Sequence, residues 1–287
     1  MNALFFASGR FAVCLALVAA CAHAREVHAQ QAGAPRTNSE DHFILTPHNP
    51  IYVLPFVYDR NLRRTDPGSQ NGEVKFQLSF KFPVVPIPFT DGTVEFGYTQ
   101  VSFWQVYNFK ESSPFRETNY EPELMAAFVD NGSFLGMKNS RTAIGYVHQS
   151  NGQRVPLSRS WNRAYADVVL ERGRFSLRLK PWYRFRESAK ASTQDSAGDD
   201  NPDIIRYMGY GELILSYQFG SCEVSVLGRN NLRSGQNHGA VQIGVTGPIH
   251  DYLKWYVQYF NGHGESLIDY NRYSQRLGVG VMVKAWR

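Results

Sequence analysis

His148 and Ser150 lie two positions apart, with Asn162 a short way further along the chain. A serine hydroxyl becomes a nucleophile when a base takes its proton, and an imidazole at i−2 on an extended chain stands on the same face. The imidazole in turn needs a neighbour to fix which ring nitrogen carries hydrogen, which an amide oxygen can do. These three residue types follow the logic of a hydrolase triad. Because an amide lacks the charge of an aspartate, stabilisation of an imidazolium has to come from elsewhere. One such polar residue at a strand end would be ordinary. Three on one face, opposite each other, ask for a chemical reason.

Whether they meet depends on the elements that carry them. Ile144, Tyr146, His148 and Ser150 share one face of an extended segment, and Asn162, Ala164, Ala166, Val168 and Leu170 share one face of the next. If the two segments form a hairpin, pairing 148 with 162 satisfies both antiparallel parity and loop length. A period of two runs through the whole chain. Val74, Phe76, Leu78, Phe80 and Phe82 alternate with Glu73, Lys75, Gln77, Ser79 and Lys81, a pattern that a helix would scatter around its circumference. Twelve such segments are expected, at about 50–58, 73–82, 93–106, 118–129, 140–150, 161–171, 173–185, 204–219, 221–229, 238–247, 252–261 and 274–284.

The chain has 287 residues, of which 43% are hydrophobic, 14% aromatic and 19% charged, with net charge +5. The aromatic content excludes disorder, and no stretch beyond the N-terminus reaches the roughly 18 apolar residues of a membrane helix. Dozen-strand alternation then fits either a soluble sandwich, apolar face inward, or a membrane barrel, apolar face outward. Long polar connections at 59–72, 107–117, 151–160, 186–203, 230–237 and 262–273 alternate with mostly shorter ones. That asymmetry belongs to extracellular loops and periplasmic turns, so the expected fold is all-β, a twelve-stranded antiparallel transmembrane β-barrel.

Residues 1–24 read as a secretory signal: Arg10, an apolar run, and the cleavage pattern Ala22-His23-Ala24, with Val18-Ala19-Ala20-Cys21 as a competing lipoprotein-like site. Residues 25–48 read as a mobile leader, whose His28, His42 and His48 would be solvated, and residues 49–287 as the barrel. Loss of Arg10 lowers the charge by one, too mild a balance to argue for nucleic acid. Inward positions mix Glu73, Lys75, Lys81, Glu95, Glu121, Glu123, Arg163, Asp167, Glu171, Arg174, Arg178, Lys180 and Arg184. Long side chains of both signs should fill a narrow lumen, which argues for a closed support with a filled polar interior and against a channel. Gln100 falls on the outward, lipid-facing phase set by Val94, Phe96 and Tyr98.

Tyr146-Val147-His148-Gln149-Ser150-Asn151-Gly152 followed by Ser158-Arg159-Ser160-Trp161-Asn162-Arg163 resembles the active-site hairpin of the outer membrane phospholipase A family. Lys180-Pro181-Trp182-Tyr183, Asn201-Pro202-Asp203-Ile204, Tyr207-Met208-Gly209-Tyr210 and Gly264-Glu265-Ser266-Leu267-Ile268-Asp269-Tyr270-Asn271 extend the likeness in order along the chain. The resemblance implies Ca²⁺-dependent hydrolysis of phospholipid acyl esters, at the A1 and A2 positions and in lysophospholipids, at the outer leaflet. It implies Ser150 as nucleophile, His148 as base then acid, Asn162 as orienting residue and the Gly152 N–H at the oxyanion. It places calcium ligands at the Ser158 side chain, the Gln153 carbonyl and Ser112 of a partner protomer, in a homodimer that is the active form. Val155 stands where the family has an aspartate linked to a second calcium mode of the monomer, which leaves the dimer site intact. In such a dimer two Gln100 amides can satisfy one another within lipid. The rival from another class is a non-enzymatic barrel, a porin or structural protein.

Overall fold

The computed structural model describes residues 45–283 except 63–65, 67, 130, 131 and 193. The expected signal segment, most of the leader and residues 284–287 lie outside the described residues. The alternation becomes strands β1 (Tyr52–Asp59), β2 (Gly72–Pro86), β3 (Gly92–Trp104), β4 (Phe115–Phe128), β5 (Ser133–Phe134), β6 (Met137–Ser150) and β7 (Ser160–Arg172). It continues with β8 (Phe175–Phe185), β9 (Gly211–Phe219), β10 (Cys222–Asn230), β11 (Gly239–His250), β12 (Leu253–His263) and β13 (Tyr273–Val283). Every neighbour in the ring is antiparallel. β1 pairs with β13 and β4 with β6, so the sheet closes on itself, and two-residue β5 is only a hairpin extension of β6. This is the expected twelve-stranded barrel.

Closure removes sheet edges, the condition a strand fold must meet in hydrocarbon. Its outer surface carries the even-numbered phase of β6, with Ile144 and Tyr146 exposed, and Leu124, Tyr183, Leu277 and Val279 likewise exposed on other strands. The turns after β2, β7, β9 and β11 gather at one end, and the longer connections after β1, β3, β6, β8, β10 and β12 at the other. No helix among the described residues is long and apolar enough to cross a membrane; the strands do the crossing.

The lumen is held by ion pairs. Arg276 lies 3.0 Å from Asp59, 2.7 Å from Glu73 and 2.8 Å from Glu265, and Arg116 also engages Glu73 at 3.0 Å. Further down, Asp167 binds Arg178 at 2.8 Å while Glu95 bridges Lys81 at 2.9 Å and Arg141 at 2.6 Å. A cavity of about 300 Å³ remains, lined by Lys75, Glu121, Arg163, Arg178 and Glu265. Buried pairs give little net stability, but stripping one partner leaves a buried charge unanswered. Arg276→Ala is therefore expected to destabilise the barrel by about 3–5 kcal/mol, read as a lower denaturant midpoint in detergent.

Four sequence expectations are corrected. Residues 204–210 do not continue β9; Ile205–Met208 form one helical turn, α1, closed by Gly209 at φ 71°. Ile204 and Met208 are spaced i and i+4, so the turn buries both against Trp182, Leu267 and Tyr270, a better use of their surface than a strand would make. His48 is not solvated: its side chain is 1% exposed and its Nε2 lies 2.6 Å from Glu123 Oε1 inside the lumen. Thr46 pairs with Lys81, so the chain enters the barrel before residue 49. Glu171 and Arg174 sit at the β7–β8 turn and are exposed, not luminal.

Candidate active site

The hairpin of β6 and β7 pairs His148 with Asn162 and Ser150 with Ser160, the register expected from parity. Val147, Trp161, Arg163 and Tyr165 point the other way and are buried. Trp161 donates to Gln149 at 2.6 Å, meets Trp182 edge-on at 6.0 Å, and carries the Arg163 guanidinium 4.0 Å above its ring. The trio thus projects from the barrel's outer wall while the residues behind it are locked into the lumen. Shape held by a packed interior is what a site on a strand surface requires.

His148 Nδ1 lies 2.9 Å from Asn162 Oδ1, which also accepts from the Tyr146 hydroxyl at 2.7 Å. An oxygen that accepts a phenol proton sets Nδ1 as the protonated ring nitrogen and leaves Nε2 free to act as a base. Asn162 Nδ2 donates to Glu187 Oε1 at 3.0 Å. Ser150 follows His148 on the same face and is flanked across the sheet by Tyr120 of β4.

The β6–β7 loop is knotted by Asn151. Its Oδ1 accepts from Arg159 N at 2.9 Å and Gln153 N at 3.3 Å, its Nδ2 donates to the Leu157 carbonyl at 2.9 Å, and the side chain is buried. Gly152 adopts φ 63°, and a Cβ there would lie 3.3 Å from the Tyr120 ring, so both conformation and crowding favour glycine.

Ser158 Oγ donates to Asp200 Oδ2 at 2.7 Å, and the Lys190 ammonium pairs with the other carboxylate oxygen. The Gln153 carbonyl lies on the same loop, and hydroxyl, carbonyl and carboxylate oxygens are the ligand types that calcium takes. Among the described residues no group of three or more His, Cys, Asp or Glu is arranged for a metal, so the set rests on hydroxyl and carbonyl oxygens plus one carboxylate. The loop after β8 is docked beside it: Arg184 holds both oxygens of Asp199 at 2.6 and 2.7 Å, and Asn201 Oδ1 accepts from Ser160 N at 3.1 Å. In the same outer region Tyr270 donates to Asp203 at 2.5 Å, and burial together with that carboxylate pushes its phenol up.

Ser112 stands apart from this cluster in sequence and element, exposed on the β3–β4 loop with φ 58°. Gln100 is on the outer wall as expected, and its amide is already engaged within the protomer: it accepts from Tyr98 at 3.0 Å and donates to Ser102 at 3.1 Å. Sequence reasoning put Tyr146 on the face of the site without its bond to Asn162, and missed Glu187 and Asp200 as neighbours. Glu187 had a signal, since it continues the outward odd-numbered phase of Tyr183 and Phe185. Asp200 had none.

Residues 28–283 match the family model described as Phospholipase A1. The chain belongs to the phospholipase A1 family. Phospholipase A1 of Klebsiella pneumoniae is 41% identical over 254 residues, covering 85% of each chain. That of Escherichia coli K12 is 42% identical over 216 residues, 75% of this chain and 71% of the relative. In three dimensions the chain superimposes on outer membrane phospholipase A of Escherichia coli with TM-score 0.77 and 38% identity, covering 86% of this chain and 94% of that one. It matches a Salmonella typhi outer membrane phospholipase, crystallised as a dimer with bound calcium, with TM-score 0.76 and 38% identity over the same shares. As a phospholipase A1, the protein is an ester-hydrolysing enzyme of the Gram-negative outer membrane. The non-enzymatic barrel reading falls with that membership, and the ion-paired lumen agrees.

Proposed function

We propose that the enzyme cleaves phospholipid acyl esters, at the A1 and A2 positions and in lysophospholipids, through Ser150, His148 and Asn162 at the outer leaflet. The observation that carries this reading is the 2.9 Å contact between His148 Nδ1 and Asn162 Oδ1 on a lipid-facing wall. His148 Nε2 takes the Ser150 proton as Oγ attacks the acyl carbonyl, then returns it to the leaving glycerol oxygen. The Gly152 N–H donates to the developing oxyanion. Water then frees the acyl chain from Ser150 by the same proton path in reverse.

Ser158 and the Gln153 carbonyl are the residues of this protomer that would hold calcium, with Asp200 as an adjoining carboxylate. Bound there, calcium would supply positive charge to stabilise the developing oxyanion. Exposed Ser112 would complete the site of a second protomer, which would make the active form a homodimer; the Salmonella typhi relative was crystallised as a dimer with bound calcium. Gln100 lies on the face where two protomers would meet. An amide has two N–H groups and two acceptor lone pairs, so each Gln100 retains capacity for its counterpart.

The test is acyl release. Detergent-folded protein with calcium is expected to liberate fatty acid from dispersed phospholipid in proportion to enzyme and to add no conductance to planar bilayers. Conductance without fatty-acid release would reverse the assignment.

A further inference from the structure

The amide of Asn162 has an accepting end and a donating end, and its neighbours agree on which faces the imidazole. Oδ1 receives the Tyr146 hydroxyl at 2.7 Å and faces His148 Nδ1 at 2.9 Å, while Nδ2 donates to Glu187 Oε1 at 3.0 Å. A carboxylate only accepts, so the reversed amide would set oxygen against oxygen at Glu187 and N–H against N–H at His148. Glu187 is placed for this by the sheet. Asn162 pairs with Phe185 at the end of β8, and Glu187 lies two residues beyond on the same outward phase, half-buried. Tyr146 and Phe185 pack at 5.9 Å beside the contact.

A second need meets the first. When His148 carries the Ser150 proton, its direct partner is a neutral amide. The hydrogen-bond chain running back from the imidazole ends on one negative group, Glu187. We propose that Glu187 is a positioning residue of the hydrolysis: it fixes the amide orientation of Asn162 and supplies, through that amide, the negative charge the triad otherwise lacks. This deepens the triad reading above and rests on it.

The test is a double-mutant cycle on detergent-folded protein, with kcat and KM for dispersed phospholipid as readouts. Glu187→Gln is expected to lower kcat roughly tenfold, the worth of one charge-assisted hydrogen bond, with KM little changed. Asn162→Asp alone is expected to lose more, because the new carboxylate faces Glu187 and like charges crowd. In the Asn162→Asp background the sign reverses: adding Glu187→Gln raises kcat, since the new amide can donate to the new carboxylate. A merely structural contact would not reverse sign between backgrounds. Wild-type kcat in Glu187→Gln, or an equal loss in both backgrounds, would overturn the proposal. A Ser150→Ala protein run alongside separates the failures: if it still hydrolyses lipid, the triad reading itself is wrong, whatever Glu187 does. Glu187→Ala, with circular dichroism on every variant, guards against a loss that comes from misfolding.

Discussion

Ser150→Ala is expected to abolish phospholipid hydrolysis, lowering kcat by roughly four to six orders of magnitude. His148→Ala should do nearly the same, and the double variant little more, because the two groups act as one unit. The size follows from the role: without Oγ no acyl-enzyme can form, and what remains is binding plus whatever the Gly152 N–H gives to direct attack by water. Stability should hardly move. Ser150 sits at the end of β6 on the outer wall, flanked by Tyr120 and Ser160, and alanine keeps its backbone pairing. A surface change of that kind is worth about half a kcal/mol or less. The measurement is fatty-acid release alongside thermal unfolding of the same preparation. Substantial hydrolysis by a folded Ser150→Ala protein would move the nucleophile elsewhere.

What the sequence revealed about this site is tied to what a period of two can carry. The phase of Glu73–Phe82 fixes which side of the wall each residue faces, and the same logic set His148 opposite Asn162. Strand parity leaves few alternatives once one face is apolar, since a one-residue slip would turn the whole apolar set into the lumen. The loops obey no such rule. Asp200 reaches Ser158 across 42 positions of sequence, carried by a loop whose path depends on Arg184 and Asp199. Residues 204–210 mimicked alternation, yet the i, i+4 pair Ile204 and Met208 found a buried cluster to fill, and tertiary burial outweighed the local pattern. His48 shows the same limit: nothing near it in sequence announces that Glu123, on the fourth strand, waits inside the barrel.

The inside and outside of the wall answer different demands. Val147, Gln149, Trp161 and Arg163 alternate with His148, Ser150 and Asn162, so each side chain of the proposed triad is anchored by neighbours bound into the ion-paired lumen. The lumen's polarity is thereby a foundation for a site that works in lipid. A porin has to keep that space wet and open; here Trp161, Trp182, Met208 and Leu267 close it behind the hairpin.

Removing calcium with a chelator is the second large expected effect: activity should fall roughly a hundred- to a thousandfold and return on adding the ion back. The magnitude is that of losing one of two oxyanion stabilisers, leaving only the Gly152 N–H. The fold should survive the treatment. Asp200 keeps the Ser158 hydroxyl at 2.7 Å and the Lys190 ammonium as partners, so no carboxylate is left bare when the metal goes. Inactivation should therefore come without change in the far-ultraviolet circular dichroism or the unfolding temperature. Ser158→Ala should raise the calcium concentration needed for half-maximal activity and weaken binding of the ion in titration calorimetry, since it removes one of few side-chain oxygens in the set. Undiminished hydrolysis in excess chelator would mean that the oxyanion is stabilised by the main chain alone, and that Ser158 and Asp200 serve only to hold the two loops together.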